Sequence, residues 1–249
     1  MNNERRLLRC ARNDSSNEQL LLGLALVLVG HFGPWVAHKT AALTVTGFEL
    51  AEFAKFFPQV QGGTVPMRRE LFYLPFVTAL VLLALADCSN PMAGRSAARR
   101  ARSRNSFLSR SVIVPLCAAA LLLIALLPYS IVDAARQALT TPASFVLDPQ
   151  YTGQLVLVIV GVVLTLLAPL ARRLPRRAWG VLVALLALAG AVPPLYQFAR
   201  FRPLVVALYD SPRPPGLGWG LIVCVGGFVL LLACGVLYAV RGEGQAAPA

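Results

Sequence analysis

The stretch Gly218–Val240 runs for 23 residues without one charged side chain. Such a run needs about 20 residues to cross a hydrocarbon core roughly 30 Å thick at 1.5 Å per residue. Six segments of the chain approach this standard: 18–36, 71–86, 111–131, 154–170, 178–196 and 218–240. Their apolar residues are continuous rather than alternating, and only helices or closed barrels satisfy their backbone groups in lipid. The expected fold is therefore all-α, a polytopic integral membrane protein with a bundle of six transmembrane helices. Residues 1–17 form an N-terminal tail, 18–242 the transmembrane domain and 243–249 a C-terminal tail. Composition agrees: 57% of residues are hydrophobic and 14% charged, against about 25% charged in soluble domains.

Charge placement sets the expected orientation. With both termini cytoplasmic, 15 of the 23 Lys and Arg residues fall inside, as the positive-inside rule requires. The run "GRSAARRARSRNSFLSRS" between the second and third spans and "ARRLPRRAW" between the fourth and fifth hold most of them. The formal net charge of +12 thus reads as topological anchoring that meets anionic lipid at the inner surface, with no nucleic acid as partner. The expected location is the plasma (inner) membrane. Abundant arginine, alanine and leucine suggest a GC-rich bacterial genome. No small-x-small site follows "LLLGLALVLVG", so the first span is expected to stay attached and not to be cleaved as a signal peptide.

The first outer loop carries local structure of its own. In "LTVTGFELAEFAKFFPQ", Thr46 followed by Glu49 has the spacing of a capping box. Glu49, Glu52 and Lys55 then recur every three residues, with Phe48, Leu50, Phe53, Ala54 and Phe57 between them. This predicts a short amphipathic helix in the outer interface, ended by Pro58.

Both histidines sit in "GHFGPWVAHKT". His31 and His38 are seven residues apart, about 10.5 Å along a helix. That is too far to share one metal at about 2 Å per ligand. His38, with Trp35 as interface anchor, is expected to mark the outer water boundary. His31 lies about two turns deeper and is the candidate intramembrane polar site; the competing account is a neutral imidazole bonded to a helix carbonyl. The five cysteines form no CxxC pair and read as small apolar packing groups. No nucleophile–base pairing, paired glutamates, HExxH or phosphate loop is present. The acids all fall at span ends or in loops, which argues against ion coupling through a buried carboxylate. The chain is accordingly expected to be no enzyme and to hold no cofactor.

One asymmetry points to function. Of 21 aromatic residues, 17 fall in the outer loops or outer span ends, although aromatic belts normally occupy both interfaces. Arginines share that layer, and aromatics and arginines are favoured at binding hot spots. The candidate outer-face interaction site comprises Phe48, Glu49, Glu52, Phe53, Phe56, Arg68, Arg69, Tyr73, Asp133, Tyr196 and Arg200. The expectation is a non-enzymatic subunit that docks a membrane or extracytoplasmic protein partner through this face. The alternative is a carrier or channel for a small neutral or apolar solute, with Gly153, Gly161, Gly190, Gly218, Gly220, Gly226 and Gly227 lining a path or simply letting helices pack closely.

Overall fold

Helix α4 (Leu74–Ser89) is the most deeply buried of the long helices. A computed structural model describes residues 18–37, 44–89, 110–127, 136, 149–208 and 215–241. Apolar helices dominate it: α1 (Glu18–Phe32), α4, α5 (Arg110–Leu126), α6 (Pro149–Leu167), α7 (Arg176–Leu208) and α8 (Trp219–Arg241). Four of these, counting short 3₁₀ extensions, are long and apolar enough to cross a membrane: those at Arg69–Ala86, Tyr151–Ala171, Arg176–Ala207 and Trp219–Val240. The helices at Glu18–Phe32 and Val112–Leu126 are apolar but shorter. The architecture is compatible with a membrane protein.

Burial separates the helices into layers. Around α4, 72% of the span is buried, against 28% for the span that includes α6. On α6, Val156, Ile159, Val160 and Val163 point outward. Water tolerates such apolar surface poorly, whereas lipid accepts it. Two buried hydroxyls within the helices are satisfied locally. Thr78 Oγ1 donates to Leu74 O at 2.7 Å and Thr165 Oγ1 to Gly161 O at 2.7 Å, each closing onto the preceding turn.

Close backbone contact holds α8 between two antiparallel neighbours. A Cβ on Gly30 of α1 would collide with the backbone of Cys224, and one on Gly227 would lie 2.7 Å from Val27 N. On the other side, a Cβ on Gly235 would lie 2.7 Å from Ala184 N, and one on Gly180 would lie 2.5 Å from Ala239 N. Small residues at these positions let the helix backbones touch, the usual source of helix association where lipid supplies no hydrophobic drive.

The structure departs from an all-α bundle at one end. Strands β1 (Pro34–Ala37), β2 (Val45–Thr46) and β3 (Gly216–Leu217) form a sheet in the order β2-β1-β3, both pairs antiparallel. Pro34 pairs with Thr46, Val36 with Val45 and Leu217, and Ala37 with Gly216. The first apolar segment therefore ends as helix at Phe32, not Val36, because "GPWVA" turns into a strand. Pro34 cannot donate as an interior helical residue must. The carbonyls left open at the end of α1 are met within the protein: Trp35 Nε1 donates to Gly30 O at 3.0 Å and Phe48 N to His31 O at 3.2 Å.

Two further boundaries differ from expectation. Residues 46–57 are not one helix but a capped turn, a single turn α2 (Leu50–Phe53) and a 3₁₀ turn at Ala54–Phe56; Phe57 is extended and Pro58 opens α3 (Pro58–Gln61). Leu50, Ala51, Ala54 and Phe57 are buried, so the apolar side of this segment packs onto the protein. Helix α7 continues 12 residues past the expected end at Tyr196, through Pro193, Pro194 and Pro203. Each proline removes one backbone donor, yet packing of Phe198, Phe201 and Val205 in the core keeps the helix going.

Candidate functional site on the capped end

The sheet, α2, α3 and the ends of α1, α4, α6, α7 and α8 make a cap, and its polar groups converge on Tyr151. The convergence starts with local chemistry. Glu49 Oε2 accepts from Thr46 N at 3.0 Å and from Thr46 Oγ1 at 3.0 Å, while Glu49 N donates to Thr46 Oγ1 at 3.2 Å. This reciprocal box fixes the entry to α2. One turn on, Glu52 faces the start of α4: Tyr73 Oη donates to Glu52 Oε1 at 2.9 Å, and Lys55 pairs with Glu52 Oε2. Gln61 Nε2 donates to Lys55 O at 2.7 Å and ties α3 to the same turn.

The 3₁₀ turn at Arg69–Tyr73 brings the second set of charges. The guanidinium of Arg69 lies 4.7 Å from the centre of the Tyr151 ring, and Lys55 Nζ lies 5.1 Å from it. Two cations on one phenol ring draw on its negative faces. Next to them the Glu70 carboxylate lies against Gly153, where an added Cβ would come within 2.5 Å of Glu70 Oε1. An anion near the first turns of α6 is favoured by the helix dipole. Gln154 Nε2, buried, donates to Leu126 O at 2.7 Å and fastens α6 to the end of α5.

Beside this cluster lies an aromatic box. His31 is fully buried, with ring centroids 5.6 Å from Phe32, 6.2 Å from Trp35, 5.9 Å from Phe48 and 6.5 Å from Phe76. Neither His31 ring nitrogen has a hydrogen-bond partner among the described residues. The bond to a helix carbonyl that the competing account requires is not made among the described residues. Trp35 is buried as well, against Phe198 at 5.6 Å. It serves as a core residue and not as an interface anchor. Phe48 joins the two regions, 5.3 Å from Tyr73.

The candidate residues fall into three groups. Glu52, Arg69 and Tyr73 meet around Tyr151, with Phe48 bordering them and Glu49 closing the adjacent box. Phe53 is half-buried against Phe57 and Phe201, at 5.4 and 6.2 Å, in a second aromatic cluster. Phe56 and Arg68 are exposed, Phe56 to 76%, and on α7 Arg200 lies 5.8 Å from the ring of Tyr196 as a separate pair. Asp133 and His38 lie outside the described residues. Sequence reasoning did not place Tyr151, Glu70, Gly153 or Gln154 in the site, because nothing in one sequence says that the start of the fourth apolar run meets the start of the second.

Among the described residues no group of three or more His, Cys, Asp or Glu is arranged to hold a metal ion. The glycines considered for a solute path are mostly in close contact: Gly161 with Val77, Gly190 with Thr78 and Phe228, Gly218 with Pro34, Gly220 with Gly33, and Gly227 with Val27. Gly226 alone of that set has open space beside it. No family model matches the chain, and no curated protein or solved structure is detectably similar to it.

Proposed function

We propose that this chain is a non-enzymatic multi-pass subunit of a bacterial plasma membrane, with six spans and both termini cytoplasmic, whose cap faces outward and docks a partner protein. The observation that carries the reading is the cross-bracing of the cap. Crossing a bilayer requires only apolar helices; it does not require a three-stranded sheet, a capping box and a Glu52–Tyr73–Lys55–Tyr151–Arg69 network at one end. Such bracing makes a rigid platform, and pre-organisation of a surface lowers the ordering cost of binding. On that platform Phe56, Arg68, Tyr196 and Arg200 are exposed, residue types favoured in binding hot spots. The short α2 segment lies at the outer interface, and the arginine-rich inner loops meet anionic lipid.

A photoreactive amino acid at Phe56, activated in intact cells, tests this. The expected result is one discrete protein adduct that is lost when Arg68 and Arg200 are both changed to alanine. A control at Leu170, exposed on the opposite end, should give lipid adducts or none. Adducts that are equally diffuse at both positions overturn the docking reading. A membrane-impermeant thiol reagent that labels Arg102→Cys but not Gly62→Cys in intact cells overturns the orientation.

A further inference from the structure

We propose that the aromatic box around His31 is a binding site for a neutral, flat, lipid-soluble carbonyl compound of the quinone class. The box goes beyond partner docking: it shares Phe48 and Trp35 with the cap but none of the exposed residues Phe56, Arg68, Tyr196 and Arg200. A fully buried imidazole with both nitrogens unpaired among the described residues is an exception to the rule that buried polar groups find partners. A neutral imidazole offers one N–H donor and one lone pair, on different edges of the ring. A quinone carbonyl accepts the first; the hydroxyl of the reduced form donates to the second.

The walls select the rest of the ligand. The rings packed on His31 are uncharged: Phe32, Trp35 and Phe48 meet it edge-on and Phe76 lies nearly parallel to it, at 19°. Aromatic walls of this kind favour a flat molecule and give no counter-charge to an ionic one. Phe32 is the door. It touches His31, Phe48 at 5.4 Å and Phe76 at 5.7 Å, yet is itself half exposed. Its exposed side continues an apolar surface along α1 that includes Val29. Rotation of Phe32 about its side-chain torsions opens the box toward lipid and not toward water. The opposite wall is fixed, because Phe48 N bonds His31 O and Trp35 Nε1 bonds Gly30 O. No redox step is part of the proposal; the site binds and releases.

The test uses the purified full chain in lipid nanodiscs, titrated with a decyl-substituted benzoquinone while tryptophan emission is followed. Trp35, edge-on to His31, is the reporter. The expected result is saturable quenching that Trp35→Phe largely removes and that His31→Phe weakens at least tenfold. His31→Phe should stay folded, since removing an unpaired buried polar ring offsets the strain of a somewhat larger apolar one. Phe32→Ala should speed association at least threefold. Should His31→Phe not fold, His31→Met carries the same expectation. Quenching that rises linearly with quinone, or saturable quenching unchanged in the His31 variant, overturns the proposal. Because the readout needs no partner, its failure is distinct from failure of the docking reading.

Discussion

The α1–α8–α7 seam and the aromatic cap are both tightly packed, but by opposite means. The seam is made of what is missing: Gly30, Gly220, Gly227, Gly180 and Gly235 bring backbones into contact. The cap is made of bulk: Trp35, Phe48, Phe57, Phe72, Phe76, Phe198 and Phe201 interlock above it. In lipid, a helix gains little by hiding a large apolar side chain from tails that are equally apolar, so association rests on close approach. Toward water, burial of large rings is itself stabilising. The change of strategy along the chain, at the level of Gly33 and Pro34, is what a passage from lipid toward water would produce, and it is compatible with a membrane protein.

The largest test of that contrast is at the seam. Gly30→Leu or Gly220→Leu places a branched side chain on a facing backbone, which cannot move aside as a flexible side chain can. We expect a loss well above the roughly 1–3 kcal/mol of ordinary overpacking, read as failure to recover a monodisperse folded protein. Gly226→Leu, with open space around it, should be recovered normally. Equal tolerance at all three positions breaks the account of the seam.

In the cap the next largest effect is expected at Trp35. Trp35→Ala removes a buried ring and the donor that closes Gly30 O, for about 3–5 kcal/mol on large-to-small grounds. Trp35→Phe keeps much of the ring and loses the bond, for about 1–2 kcal/mol. Thermal or denaturant melting in detergent separates the two. If both cost the same, the cap is held by the hydrogen bond and not by bulk.

These two regions were unequally legible. The apolar runs announce helices, and the glycines in the last run suggest close packing. The Thr46–Glu49 spacing gives the capping box outright, because both partners lie within one turn. What failed to show was anything set by contact between distant segments. Four residues at "PWVA" look like the end of a span until "VT" and "GL" pair with them. Pro193, Pro194 and Pro203 look like a helix stop, since local chemistry says so; the tertiary packing of Phe198 and Phe201 overrides it. The aromatic excess was visible, but composition alone does not tell a ring facing outward, such as Phe56, from one facing inward, such as Trp35.

Within the polar part of the cap, Tyr73→Phe deletes the donor to Glu52 and leaves the ring in place. A hydrogen bond to a charged group is worth about 1.5–3 kcal/mol, and a partly exposed acceptor puts this one at the low end. Combined with Glu52→Gln in a double-mutant cycle, the pair should couple by about 1 kcal/mol. No coupling means the two only happen to be adjacent, and the polar network then does not brace the cap.

The smallest expected effect sharpens the distinction between bracing and local capping. Thr46→Ala removes one side of the box, which is exposed, for about 0.5–1 kcal/mol as for other helix N-termini. Lys55→Met breaks an exposed pair with Glu52 and should cost less still, within about 0.5 kcal/mol, with the loss falling further as salt is raised. Lys55 also lies over Tyr151 on α6, so the two variants differ in what they free. Thr46→Ala should loosen only residues 46–53, read as faster amide exchange there. Lys55→Met should loosen the start of α6 as well, despite its smaller effect on melting. Faster exchange confined to the 46–61 segment in both variants would mean that α6 is held to the cap by Arg69 and Glu70 alone.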